Sequence, residues 1–271
     1  MANDRLLNAD THFEFGKNWD DYSRLIDAEA IAEAERGVLN LIPAEAIKGA
    51  RWLDIGSGSG LHSLAAARLG ASEITAIDID KDSVATTRKV LEAHGVTAKV
   101  FESSVFELDD LGQYDIVYSW GVLHHTGAMW RAVKAAAERV RPGGLFVIAL
   151  YQKTALCGAW TVEKRLYTAA PEGLRKVMRG VYKSLFKVAL RVTGRSPADY
   201  ENNYKSSRGM NWDHDIHDWL GGYPYESSTP EETRKFVTGL GFEPVMIGDL
   251  NPGRGVFGTG CAEYVFRRTS A

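Results

Sequence analysis

Residues 51–80, RWLDIGSGSGLHSLAAARLGASEITAIDID, restrict the fold of this chain more than any other stretch. A short apolar run ends in an acid, and Gly56, Gly58 and Gly60 follow within five positions. An Ala/Leu-rich segment comes next, and a second apolar run ends in Asp78. That order predicts a strand, a tight turn, a helix and a second strand. Glycine in such a turn lets a ligand approach the backbone, while the helix N-terminus turns its N–H groups toward the ligand. An acid at the end of the next strand can accept hydrogen bonds from two ribose hydroxyls. The unit therefore suits an adenosine-bearing cofactor. A dinucleotide fingerprint would want its third glycine at position 61, which is Leu61, and no phosphate-loop sequence occurs for a nucleoside triphosphate.

The alternation continues along the chain. Apolar strands are expected at 51–55, 73–78, 98–101, 114–119 and 145–151, with helices at 60–69, 80–94 and 128–140 between them. Near-continuous apolar strands alternating with helices predict a parallel sheet covered on both faces. The RPGG run at 141–144 should break the last helix just before its strand. A helix is expected over 20–42, stopped by Pro43, and another near 230–240, with strand-like segments near 243–250 and 260–268. The 271 residues suit one domain with additions. The divisions are 1–49, an N-terminal helical lid; 50–151, the α/β cofactor core; 152–228, an inserted helical cap; and 229–271, a helix and strands completing the sheet.

Two further stretches, YDIVYSWGVLHH and the RPGG turn, join LDIGSGSG and AIDID of this unit. Together they resemble the class I, Rossmann-like S-adenosylmethionine-dependent methyltransferases, with greatest likeness to the ubiquinone/menaquinone-type small-molecule enzymes. The resemblance implies a seven-stranded sheet with helices on both faces and S-adenosylmethionine as cofactor. It implies that Asp54, Gly56, Ser57, Gly58 and Gly60 line the methionine side, that Asp78 binds the ribose and that Ile79 packs on the adenine. Ser103 and Ser104 then stand where the family often has Gly-Asp, the acid against the adenine amine; Ser104 and Val105 are expected at the cofactor, and Ser119 and Trp120 flank the methionine portion. Trp19, in the lid, would cover the cofactor, with Phe15 and Tyr22 turned toward substrate.

Transfer of a methyl group already made electrophilic needs an aligned nucleophile and a proton sink. His125 or His124, just after the fourth strand, is expected as base or acceptor orienter, because ligands of such sheets sit at the carboxyl ends of strands. The stretch MNWDHDIHDWLGGYPYE at 210–226 brings His214, His217, Trp219 and Tyr223 forward as substrate-facing residues. A polar substrate loop, a metal site and a capped, solvated turn remain open for it, and no metal is assigned.

Residues 152–195 carry ten Lys/Arg and two acids, a local charge of +8 against −3 for the whole chain. Over 174–192 the apolar residues fall on one helical face. A solvated basic face over a core-packed stripe is the default, and an anionic or lipid-tailed acceptor or a membrane surface the alternative. Nucleic acid is not expected. Two cysteines, no secretory pattern at the start and apolar runs too short to span a bilayer fit a cytoplasmic protein. The expected activity is O-methylation of a small molecule. N- or C-methylation, an NAD-dependent oxidoreductase and a non-catalytic cofactor-binding accessory protein stay as rivals, and a homodimer stays open.

Overall fold

The computed structural model describes residues 26–204, 212–248, 256–257 and 259–270. Seven strands form one sheet: β1 (Arg51–Ile55), β2 (Glu73–Asp78), β3 (Lys99–Glu102), β4 (Tyr114–Trp120), β5 (Val140–Tyr151), β6 (Phe242–Ile247) and β7 (Cys261–Arg268). Their order is β3-β2-β1-β4-β5-β7-β6. The first five run parallel, and β7 is antiparallel to both β5 and β6. The order reverses between β1 and β4, which opens the crevice where open α/β sheets bind ligands.

Side chains alternate along β1 and β4 and sort the core into two layers. Leu53, Ile55 and Val117 point to one face, against α5 (Met129–Glu138) and α10 (Pro230–Gly239). Trp52, Ile116 and Tyr118 point to the other, against α1 (Ala28–Leu41), α2 (Ala44–Ile47) and α3 (Leu61–Arg68). Between β2 and β3, α4 (Lys81–Ala93) starts at Asp80, whose side chain accepts from the Asp82 and Ser83 N–H groups. That N-cap role leaves the neighbouring Asp78 to other partners.

Two expectations shift. The described part of residues 1–49 is core rather than lid: Ala34, Val38, Leu41 and Ile47 are buried against Trp52 and Ala65. Residues 1–25, with Phe15, Trp19 and Tyr22, lie outside the described residues. The RPGG run lies inside β5, whose pairing starts at Val140 opposite Tyr114 and slips before Leu145 meets Ile116. Gly144 is needed there, since a Cβ would stand 2.8 Å from the Asp115 carbonyl oxygen.

The insertion after β5 is helical: α6 (Cys157–Ala169), α7 (Glu172–Val192), α8 (Pro197–Asn202) and α9 (Trp212–Gly221). It has its own core of Tyr167, Tyr204, Trp212, Ile216 and Leu220. Among the described residues no helix is long and apolar enough to cross a membrane.

Candidate active site

The carboxyl ends of β1, β2, β4 and β5 meet at one edge of the sheet, and the site is built on them. Gly56 and Gly60 both have positive φ, +77° and +78°. A Cβ on Gly56 would lie 2.5 Å from the Val122 methyls, and one on Gly60 would lie 3.0 Å from Thr87. Gly56 and Gly60 are thus bare backbone by geometric need. Ser57 is buried and its Oγ lies 3.0 Å from Thr87 Oγ1.

Two carboxylates stand behind this turn. Asp54, 3 % exposed, accepts from Ser63 Oγ at 2.6 Å. Burial pushes its pKa up to about 7; the Ser63 bond opposes the shift and the Asp78 charge adds to it. Asp78 accepts from the Gly58 N–H and from the Asp80 N–H, each at 3.0 Å. Burial raises it to about 6 against these two bonds. Ile79, next to it, is 41 % exposed. A place for a cation beside two unneutralised carboxylates is what this arrangement offers.

Ser104 and Val105 follow β3. Ser104 Oγ accepts from the Phe106 N–H at 3.3 Å, and Val105 is buried with Leu53, Ile55 and Ile77. Ser119 is fully buried and donates to the Ile55 carbonyl at 2.9 Å, which ties β4 to the start of the glycine turn. Trp120 is 41 % exposed, with Nε1 donating to Glu263 at 2.7 Å. His62, in the first turn of α3, packs near Tyr118 and Trp120, at ring separations of 5.2 and 6.1 Å. Burial lowers its pKa to about 4, so it is neutral at physiological pH.

After β4 the chain makes a single 3-10 turn, Leu123–His125. Val122 packs on Gly56, so this turn starts at the mouth of the glycine loop. His124 is fully buried. Its Nδ1 accepts from the Tyr151 N–H at 3.3 Å, and its Nε2 has no hydrogen-bond partner. Burial, with the nearby His125 and Lys164, holds its pKa well below the usual histidine value. His125 donates from Nδ1 to the Pro224 carbonyl at 2.8 Å, because a carbonyl only accepts. That bond leaves the lone pair on Nε2 in the neutral ring. Gly222 lies against the imidazole: a Cβ there would be 2.6 Å from His125 Cε1.

Residues 222–228 strap across the ends of β4 and β5. The Glu226 N–H donates to the His124 carbonyl at 3.0 Å, and the Glu226 carboxylate accepts from the Met129 N–H at 2.8 Å. The Ser228 N–H donates to the Tyr151 carbonyl at 3.0 Å. Above the strap, α6 delivers Lys164, fully buried although it sits in the basic stretch. Its Nζ lies 3.5 Å from the Trp219 ring centre and 5.3 Å from that of Tyr225, and it donates to the Trp219 carbonyl. Burial lowers the Lys164 pKa and raises that of Glu163, each opposed by the other's charge. Both Glu163 carboxylate oxygens, Trp219 Nε1 and His124 Nε2 are buried without a partner among the described residues. They are half of the eight such atoms among the described residues, and they belong to α6, α9 and the histidine turn.

The stretch at 210–226 divides. Trp219 faces Tyr151, with ring centres 5.4 Å apart, and so reaches the histidine turn. Tyr223 lies in the strap, before the cis bond to Pro224. His217 is held in the insertion's own packing, 2.6 Å from Tyr167 OH and 3.1 Å from Arg179. The side chain of His214 lies outside the described residues. Sequence reasoning missed Lys164, Glu163, Tyr151, His62 and Gly222. His62, two residues beyond Gly60, and Gly222, in the GGYP run, had a local signal.

Three comparisons bear on this geometry. A family model described as a methyltransferase domain matches residues 53–144. A ubiquinone biosynthesis O-methyltransferase of Rhizobium etli is 31 % identical over 184 residues, covering 62 % of this chain and 71 % of that protein. One from Paramagnetospirillum magneticum is 33 % identical over 149 residues, covering 54 % of this chain and 59 % of the other. Among solved structures, a magnesium protoporphyrin IX methyltransferase from Synechocystis PCC 6803 with bound SAH shares the fold. Its TM-score is 0.54 at 17 % identity, covering 89 % of this chain and 84 % of that one.

Proposed function

The chain belongs to the class I, Rossmann-like S-adenosylmethionine-dependent methyltransferases, and from that premise we propose that it O-methylates a cytoplasmic small molecule held between the turn after β4 and the inserted helices. The residues present fit S-adenosylmethionine: the turn has no room for a Cβ at Gly56 or Gly60, and burial raises the pKa of the two carboxylates behind it. When bound, the cofactor supplies a methyl group activated by its sulfonium.

The remaining work belongs to the chain. The amides of the glycine turn hold the cofactor's methionine side, the remaining lone pairs of Asp78 orient its adenosine half, and Ile79 gives its ring an apolar bed. Asp54 balances positive charge at the methionine end. His125 Nε2 takes the proton of the acceptor hydroxyl as the oxygen attacks; Gly222 and the Pro224 bond fix the ring for that task. His124 Nε2–H and the Lys164 amine hold the oxygen in line. The strap and α6 keep water out, which strengthens each of these interactions.

One observation carries this reading: Val122 touches the glycine turn while His125, three residues on, is locked to the strap. Cofactor and proton acceptor thus share one rigid turn. The test is calorimetry with S-adenosylhomocysteine and with NADH, then turnover of labelled S-adenosylmethionine on hydroxyl, amine and activated-carbon acceptors. S-Adenosylhomocysteine should bind, and Asp78→Ala should weaken it roughly 10- to 100-fold, the loss of charged hydrogen bonds worth about 1.5–3 kcal/mol. Label appearing on oxygen supports the proposal. Label confined to nitrogen or carbon overturns the choice of atom, and binding of NADH alone overturns the whole assignment.

A further inference from the structure

We propose that the outward face of α6 and α7 docks the protein onto an anionic phospholipid bilayer. Fourteen large apolar residues are exposed among the described residues, and nine of them lie between 156 and 192. On α7, Leu174, Val177, Val181, Leu185, Val188 and Val192 are 51–82 % exposed. Their spacing of three and four residues makes them one continuous stripe. On α6, joined to α7 by two residues, Val162 and Leu166 are 60 and 61 % exposed.

This inverts the default expectation of a basic face outward over a packed apolar stripe. The side of α7 turned to the protein carries Met178, Tyr182 and Phe186. The basic residues Arg179, Lys183 and Lys187 pair with Glu172, Asp213 and Glu201. The sequence's strongest apolar stripe is what remains outside. An apolar patch of this extent on a soluble surface marks an interaction site.

Charge identifies the occupant. Arg165, Lys176 and Arg191 each adjoin a residue of the apolar face, and Arg195 follows just beyond. All four are exposed, and none forms an ion pair with a described residue. Branched aliphatic side chains bordered by cations describe a helix lying in a bilayer interface, drawn there by anionic headgroups. A second copy of the same face would bring like charges together. Since no described helix can cross a membrane, the contact lies on the surface. It would set the bilayer against the outer side of α6, whose inner side carries Lys164.

The experiment is flotation of the full chain with vesicles of phosphatidylcholine alone and of phosphatidylcholine with about one-third phosphatidylglycerol. Binding should appear on the anionic vesicles, weaken at high salt and be absent on the neutral ones. The triple variant Val181→Asp, Leu185→Asp, Val188→Asp should bind at least about tenfold more weakly. Lys176→Glu and Arg191→Glu should each cost at least about fivefold. Unchanged circular dichroism and S-adenosylhomocysteine affinity identify these as surface effects, so docking and methyl transfer stand or fall separately. Should the triple variant fail to fold, Val188→Trp replaces it, and its emission must shift to the blue on anionic vesicles alone. Absent or charge-independent binding, an indifferent triple variant or unshifted emission would falsify the proposal. So would a dimer that the triple variant converts to monomer.

Discussion

Around Gly56–Gly60 the site is made of backbone, whereas around His124 and Lys164 it is made of side chains drawn from distant segments. The first half holds two carboxylates whose charged form is disfavoured: Asp54 and Asp78 are both pushed up by burial, to about 7 and about 6. The second half carries N–H groups without partners, at His124 Nε2 and Trp219 Nε1, beside a buried amine. One half is unfinished until a cation arrives, the other until an acceptor oxygen does. Methyl transfer to a hydroxyl would discharge the sulfur and leave the proton's positive charge on His125, so the deficit beside Asp54 and Asp78 suits the reactants and not the products. The comparison makes a demand that can be tested: variants in one half should leave the other half's ligand alone.

The largest effect belongs to the junction. His125→Ala should lower kcat by about 10²–10⁴-fold, the usual range for a lost general base. Its affinity for S-adenosylhomocysteine, read by calorimetry, should not move. A matching loss of cofactor affinity would mean that the histidine turn serves the glycine loop and that the two halves are not separable.

Asp54→Asn probes the negative half. The ordinary pKa of this group is 3.8 and its folded value is about 7, so the folded state binds a proton that the unfolded state has released. Its contribution to stability is present below about 4, is lost as the pH rises toward 7, and leaves its full cost above that. Asparagine keeps the bond from Ser63 and removes the charge. The variant should be more stable at pH 8 by on the order of 2–4 kcal/mol and gain nothing at pH 4. Chemical denaturation at the two pH values checks this. The same variant should bind S-adenosylmethionine more weakly, because the stability cost of Asp54 is what the bound cation relieves.

The two halves also differ in how far the sequence discloses them. The β1 and β2 bounds coincide with the expected 51–55 and 73–78, and the seven-stranded Rossmann-like sheet is present. Those features are local: a continuous apolar run, a glycine turn and an acid lie within 30 residues. Nothing local marks Lys164. In a stretch with ten basic residues a lysine reads as surface, and only the fold brings it beneath Trp219, 55 positions away. Gly222 stands in a visible GGYP turn, yet the imidazole it touches belongs to residue 125. The α7 stripe fails differently. Periodicity reveals that a helix has two faces, but it cannot say which one meets the protein when aromatic residues on the polar side can also build a core. Phe15, Trp19 and Tyr22, assigned to a lid by resemblance alone, fall outside the described residues.

Lys164→Met keeps the side chain's length and apolar contacts with Trp219 and Tyr225 while removing the amine. Acceptor kcat/KM should fall roughly tenfold to hundredfold, the range for a hydrogen bond to a charged group. S-Adenosylhomocysteine affinity should stay constant. If acceptor kinetics are untouched, the buried amine serves only the packing of α6 on α9, and the positive half of the comparison is lost.

The smallest effect sharpens the negative half most finely, because it divides the cofactor end from end. Ile79 is 41 % exposed beside Asp78, an apolar side chain left uncovered next to the carboxylate proposed for the ribose. Cutting it to alanine removes part of that surface, and at about 25 cal/mol per Å² the loss is roughly 1 kcal/mol, or about fivefold in affinity. If the adenine lies on Ile79, free adenosine and S-adenosylhomocysteine should weaken by the same factor in calorimetry, since both carry the ring. Asp54→Asn should instead act on the amino-acid-bearing ligand and spare adenosine. The two variants together therefore fix which way the cofactor runs through the crevice. Weakening of S-adenosylhomocysteine with adenosine unaffected in Ile79→Ala would reverse that direction, carrying the sulfur away from Val122 and out of reach of the histidine turn.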